Sequence, residues 1–214
     1  MGIRNKRGIK LFEESGALIN GHFRLQGGRD SLCYVAKELL CEQSMIEICN
    51  GIAEDFMPLT IDTVVGPENG AVKYAEYTTM HLARISKRPI AMVRARKVPD
   101  GKKLFYIADE DMQHIVNKKI LVVEDVFTTG ENAAKVIALI RSCNGIVIGV
   151  GGVWNRGNVT ARDLGVDIFI SQINEQYPSY EPGEPCPGCR EKIPYNMEWG
   201  HGKNLVGKHP LATR

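Results

Sequence analysis

Residues 120–132, ILVVEDVFTTGEN, carry the residue types best suited to chemistry. Two adjacent acids, Glu124 and Asp125, follow an apolar run, and Val126 and Phe127 separate them from Thr128, Thr129 and Gly130. An all-apolar run predicts a strand covered on both faces. Its acids then emerge at the carboxyl end, where open α/β sheets hold ligands. Helical periodicity resumes at Glu131, so the turn opens a helix whose first N–H groups and partial positive charge face an anion. A phosphate fits that turn. The acids, being like-charged, cannot bind it, but they can accept hydrogen bonds from vicinal hydroxyls or hold a cation. A phosphate beside a diol describes a sugar phosphate. The blander reading makes Glu124 and Asp125 a strand end and Thr128 a helix cap. Two acids and a Thr-Thr-Gly turn at one strand-to-helix junction argue against it.

Two other clusters invite chemistry. Arg94, Arg96, Lys97, Lys102 and Lys103 crowd together with Asp100 as the single acid among them. Such a run could meet a polyanion or form a solvated loop. Cys186-Pro-Gly-Cys189 has the spacing of half a zinc site. Structural zinc needs four ligands, which His201, His209 or a neighbouring subunit could complete. A plain Cys-containing turn is the alternative.

The elements that must position these residues alternate in type. Strands are expected over residues 61–65, 89–93, 120–123, 146–153 and 167–170, and helices over 71–85 and 131–142. On the first helix Val72, Ala75, Thr79, Leu82 and Ala83 share a face, and on the second Ala133, Val136, Ile137 and Ile140. Alternating strands and helices imply an α/β fold with a parallel, twisted sheet flanked by helices. A further helix is expected around residues 45–55. Residues 94–111, with Pro99-Asp100-Gly101, suggest a mobile hairpin. The expected division is a domain over residues 1–173, with a small hood over 1–56 and a core over 57–173, followed by an irregular tail over 174–214.

Composition excludes several classes. Hydrophobic residues make up 43% of the 214, enough for a core and too many for a disordered chain. A net charge of +2 does not suggest a nucleic-acid binder. No apolar run reaches the roughly 18 residues of a membrane span. The basic N-terminus lacks a signal core, and Lys6 breaks the myristoylation pattern, so a cytoplasmic protein is expected. Gly149, Gly151 and Gly152 suggest a dinucleotide fingerprint, but Trp154 stands where its third glycine belongs. No Gly-rich turn leads to a Walker lysine.

Residues 120–130 resemble the diphosphoribose-binding signature of the type I phosphoribosyltransferases. Phe127 replaces the usual aliphatic residue, and Asn132 a small hydroxyl or Ala. The resemblance implies that Glu124 and Asp125 hold ribose hydroxyls and that Val126, Phe127, Thr128, Thr129 and Gly130 wrap the 5-phosphate. Residues 16–37 resemble the hood of orotate phosphoribosyltransferases, with Gln26 where several members carry a ligand-binding Lys. There Tyr34 takes an aromatic position facing the base, and Lys37 matches a Lys of one branch. Residues 66–70 (GPENG) match the diphosphate loop, with Glu68, Asn69 and Gly70 as candidate contacts. Residues 89–97 match the strand into the catalytic loop, where Arg94, Arg96 and Lys97 would meet the diphosphate. Residues 153–157 (VWNRG) put Arg156 where an Arg meets the carboxylate of orotate, with Asn155 in place of an acid. Cys-Pro-x-Cys tails occur in one branch of the family.

The resemblance thus implies a type I phosphoribosyltransferase fold and transfer of 5-phosphoribose from 5-phosphoribosyl-1-diphosphate to a nucleobase, foremost orotate. Mg²⁺, Arg94 and Lys97 would neutralise the leaving diphosphate, and a homodimer is implied. A purine or another base is an alternative. So is a regulator of the same fold that binds nucleic acid, against which stand the complete acidic pair and the basic loop. A zinc-dependent interaction module would rest on the tail alone.

Overall fold

The computed structural model describes residues 3–25, 28–99 and 104–205. Gln26, Gly27, Asp100, Gly101, Lys102, Lys103 and His209 lie outside the described residues. In chain order the elements are α1 (Ile3–Glu14), β1 (Leu18–Arg24), β2 (Asp30–Val35), α2 (Glu42–Phe56), β3 (Thr63–Pro67), α3 (Val72–Ser86), β4 (Ala91–Lys97) and β5 (Phe105–Tyr106). There follow β6 (Lys119–Phe127), α4 (Glu131–Ser142), β7 (Ile146–Asn155), α5 (Ala161–Leu164), β8 (Phe169–Ile173), β9 (Ser179–Tyr180) and α6 (Pro187–Arg190).

Two compact units share the chain. The larger takes residues 42–175 and the N-terminal residues up to Gly8, and the smaller takes Ile9–Cys41 and the chain from Gln176 onward. This differs from the expected hood and tail at both ends. Helix α2 was expected in the hood, yet its apolar face, Ile48, Ile52 and Phe56, is buried in the larger unit. The glycines of β7 explain the fit. A Cβ on Gly151 would stand 2.6 Å from the Ile52 side chain, and one on Gly149 2.7 Å from the Phe56 ring. Bare backbone there lets α2 approach, which gives the glycine run a packing role. The tail, expected to be irregular, contains a strand and a short helix that join the smaller unit.

The larger unit is a six-stranded sheet in the order β5-β4-β3-β6-β7-β8. All neighbours are parallel except β5, which pairs antiparallel with β4 at the edge. That edge pair, Arg96 opposite Tyr106 and Lys97 opposite Phe105, forms the expected hairpin. Strand β3 is buried at every position, and β6 from Ile120 to Asp125, as central parallel strands should be. Ala133, Val136, Ile137 and Ile140 of α4 pack with Val65, Ile120, Val122 and Val150. From β3 the chain steps outward to β4 and then returns to β6 on the other side of β3. The connections therefore diverge at the carboxyl ends of β3 and β6, the switch point where such sheets form a crevice.

The smaller unit contains a three-stranded antiparallel sheet in the order β1-β2-β9. Among the described residues no helix is long and apolar enough to cross a membrane.

Ile140 is fully buried, so Ile140→Ala should cost about 2–5 kcal/mol through lost contacts and the cavity left behind. Chemical denaturation of the full chain would read this as a lower midpoint, and an unchanged midpoint would contradict the packing of α4.

Candidate functional site

Strand β6 carries Glu124 and Asp125 to the switch point. Two positions before them, Val122 pairs with Val65 of β3. Both acids are only 6% exposed. Each carboxylate accepts from the next backbone N–H, Asp125 N to Glu124 Oε1 at 3.3 Å and Val126 N to Asp125 Oδ1 at 2.8 Å. Two buried like charges side by side favour a ligand rich in donors, or a hard cation with a taste for oxygen.

Beyond the acids, the Phe127 ring turns inward onto Phe169, with centroids 4.7 Å apart. Only the backbone of Phe127 faces the turn, and its carbonyl accepts from Arg156 N at 3.0 Å and Gly157 N at 3.1 Å. Thr128 and Thr129 are exposed, as anion donors must be. Gly130 has φ +74 and opens α4. Thr129 Oγ1 accepts from Glu131 N at 3.4 Å, and Arg156 Nε donates to Thr128 Oγ1 at 3.0 Å. Arg156, the candidate contact to the base, therefore sits beside the 128–130 turn.

The segment after β7 braces this turn. A Cβ on Gly157 would lie 1.6 Å from the Thr128 carbonyl oxygen, so only glycine permits the approach. Buried Asn155 closes the segment: its Nδ2 donates to Val159 O at 2.9 Å and its Oδ1 accepts from Val159 N at 3.0 Å. Asn155 thus supplies a structural pair at the end of β7. The next residues form a capping box between Thr160 and Asp163. The Thr160 hydroxyl and N–H hold the Asp163 carboxyl below its ordinary pKa. That stabilisation is present above the ordinary carboxylate pKa and is lost as pH falls through the lowered one.

On the other side of the crevice β3 ends in the 66–70 loop, which contains a cis peptide bond between Glu68 and Asn69. Gly66 pairs with Arg94 and Pro67 with Ala95. Glu68 N donates to Ala95 O at 2.9 Å, and Lys97 N donates to Glu68 Oε2 at 3.2 Å. Asn69 and Gly70 are exposed. Arg94 pairs with Glu76 at 3.0 Å, and Arg96 with Glu110 at 3.2 Å and Asp111 at 3.7 Å. Desolvation works to lower the Arg96 pKa, but Tyr106 and Glu110 outweigh it and leave it raised. Exposed pairs of this kind are worth about 0–1 kcal/mol, so an arriving polyanion can displace the carboxylates. The larger unit thus brings together an anion turn, a pair of acids for a diol or cation, and a second, cationic edge.

Tyr34 and Lys37 belong to the smaller unit. Tyr34 lies against Phe23 and Trp199, with ring centroids 5.4 and 6.1 Å away, and Lys37 starts a short 3-10 turn. Gln26 lies outside the described residues. Cys186 and Cys189 meet His22 and Asp30, not the expected His201, whose backbone N–H instead bonds Arg24 O. Residues 186 and 22 are too distant in sequence for spacing to join them.

Sequence reasoning missed the scaffolding roles of Asn155 and Gly157. Asn-x-Gly after a buried strand was a usable turn signal, although the contact with residue 128 has no local signature.

The description "Phosphoribosyl transferase domain" belongs to a family model that matches residues 36–182. The orotate phosphoribosyltransferase of Chlorobium phaeobacteroides is 33% identical over 190 residues, covering 87% of this chain and 91% of its own. That of Caldicellulosiruptor bescii is 33% identical over 189 residues, covering 87% and 92%. Among solved structures, the orotate phosphoribosyltransferase of Mycobacterium tuberculosis H37Rv superposes with a TM-score of 0.62 at 21% identity, covering 79% of this chain and 95% of that one. This last likeness is one of fold.

Replacing Gly157 by Ala should push the 128–130 turn out of place. Ribose 5-phosphate should then bind at least about tenfold more weakly, roughly 1.4 kcal/mol, in a calorimetric titration. Unchanged affinity would show that the turn does not depend on this approach.

Proposed function

The chain belongs to the phosphoribosyl transferase domain family, and we propose that it transfers 5-phosphoribose from 5-phosphoribosyl-1-diphosphate to orotate. The observation that carries this reading is the pair of buried acids, Glu124 and Asp125, set between an anion turn and a cationic edge. A donor with a phosphate at one end, a diol in the middle and a diphosphate at the other matches that order. The names of the relatives, orotate phosphoribosyltransferases along nearly their full length, support the choice of base.

In the reaction the bond from the anomeric carbon to the diphosphate oxygen breaks, and its electron pair leaves with the diphosphate. A ring nitrogen of orotate supplies the new pair and its proton passes to solvent. The acids hold the ribose hydroxyls and keep their negative charge near a sugar ring that becomes cationic. Arg94 exchanges the exposed Glu76 carboxylate for the leaving group and Lys97 adds its own charge, which stabilises charge where it develops. The carboxylate oxygens of Glu124 and Asp125 suit a hard cation, and Mg²⁺ held there with the donor would supply further charge neutralisation. Arg156, one of whose five donors already engages Thr128, receives the orotate carboxylate through a two-point contact. A homodimer in the cytoplasm belongs to the same reading, and light scattering would test the dimer.

An endpoint assay with Mg²⁺, donor and a panel of bases tests the reaction. Orotidine 5'-phosphate should form with the native chain and fall at least about a hundredfold with Asp125→Asn, the loss of one strong charge-assisted contact. Product with a different base would correct the substrate, and none with any base would refute the transfer. Arg156→Ala should raise the Michaelis constant for orotate about 10- to 100-fold and that for the donor far less. An equal rise in both would assign Arg156 to the phosphate turn.

A further inference from the structure

The smaller unit holds a cluster of side chains that the transfer reaction does not use. His22 on β1, Asp30 at the start of β2, Cys186 and Cys189 place one ligand atom each within 4.8 Å of one another. Cys186 Sγ lies 3.3 Å from His22 Nε2, and Cys189 Sγ lies 3.7 Å from that nitrogen and 3.6 Å from Asp30 Oδ2. Zinc bound to sulfur at about 2.3 Å and to nitrogen or oxygen at about 2.0–2.2 Å in a tetrahedron sets its ligand atoms about 3.3–3.8 Å apart. These three separations fall in that range.

The surroundings point the same way. His22 Nδ1 lies 2.7 Å from Ile193 O, which accepts its proton and leaves the Nε2 lone pair facing both sulfurs. This is the outer bond that a metal-binding imidazole makes. Cys189 N donates to Cys186 Sγ at 3.1 Å, a bond that favours thiolate. Asp30 Oδ1 accepts from Tyr195 at 3.0 Å and pairs with Arg24 Nε at 2.9 Å, while Oδ2 is the oxygen nearest Cys189. The Tyr195 ring stacks on His22 at 3.9 Å. A Cβ on Gly188 would stand 2.7 Å from the imidazole, so the Cys-Pro-Gly-Cys turn needs its glycine to admit His22. His22, Asp30 and Cys186 are buried, too dry for a loose surface ion. A divalent cation, two thiolates, one carboxylate and the Arg24 guanidinium together are neutral.

We propose that His22, Asp30, Cys186 and Cys189 bind one Zn²⁺ in a closed structural site that clips the carboxyl-terminal segment to the β1–β2 pair. Binding displaces the two thiol protons to solvent, and no ligand position is left open for catalysis. A reversible disulfide between Cys186 and Cys189 is the competing chemistry. The clip also governs Trp199, which lies on the fastened segment and faces Tyr34. The site stands whether or not orotate is the substrate.

The test uses the full chain purified without chelator or added metal. Elemental analysis should find one zinc per chain. Cobalt exchanged for zinc should give visible bands of tetrahedral intensity and a thiolate-to-cobalt charge-transfer band. Cys186→Ser with Cys189→Ser, and separately His22→Ala, should weaken zinc more than about a hundredfold, beyond what loss of an outer-shell partner costs. His201→Ala should keep full zinc. Should the ligand variants fail to fold, dipicolinate stripping of the native chain should lower its melting temperature and expose residues 181–200 to protease, both reversed by zinc. No zinc and no cobalt bands in the native chain, an intact mass lighter by two hydrogens from a disulfide, or full zinc in the folded His22→Ala variant would each overturn the proposal.

Discussion

Everything in the larger unit follows from bringing two carboxylates out of a dry strand at one point. A strand buried on both faces has little water to offer Glu124 and Asp125, and the strand itself offers each carboxylate the next backbone N–H. The sheet answers with topology. Because β4 and β6 flank β3, the loops after β3 and β6 diverge and leave a crevice at the acids. The same divergence places the 66–70 loop and the cationic end of β4 on one side of them and the 128–130 turn on the other. A ligand with charge at both ends and hydroxyls between them satisfies all three parts at once.

Three further residues hold the 128–130 turn in shape. The Asn155 side chain imitates a backbone and pairs with both polar groups of Val159. Gly157 removes the side chain that would strike the Thr128 carbonyl. Phe127 anchors its turn by burying its ring, leaving its carbonyl to two N–H groups from across the sheet. These parts are cheap individually, and together they fix a loop that carries no regular secondary structure.

Much of this was legible in the sequence. The strand begun at 120–123, the helix at 131–142 and the acid–turn junction between them follow from periodicity and turn chemistry within a dozen residues. Strand ends were less legible: the run at 89–93 continues to Lys97, because pairing with β3 and β5 sustains a charged stretch that propensity alone would end. The boundary of the hood escaped for a related reason. Whether α2 belongs with the residues before or after it depends on glycines a hundred positions later in β7. The partners of Cys186 and Cys189 lie more than a hundred and fifty residues upstream, and no local pattern ties them.

One pair of hydrogen bonds joins two parts of the crevice wall. Glu68 gives its N–H to Ala95 and takes the N–H of Lys97 on its carboxylate, stitching the loop after β3 to the root of the basic hairpin. Whatever settles on residues 68–70 restrains that root, and by reciprocity a restrained hairpin tightens the hold on the occupant of the loop. The loop and the hairpin root therefore stiffen or loosen together, although ten and more residues of other structure separate them in the chain.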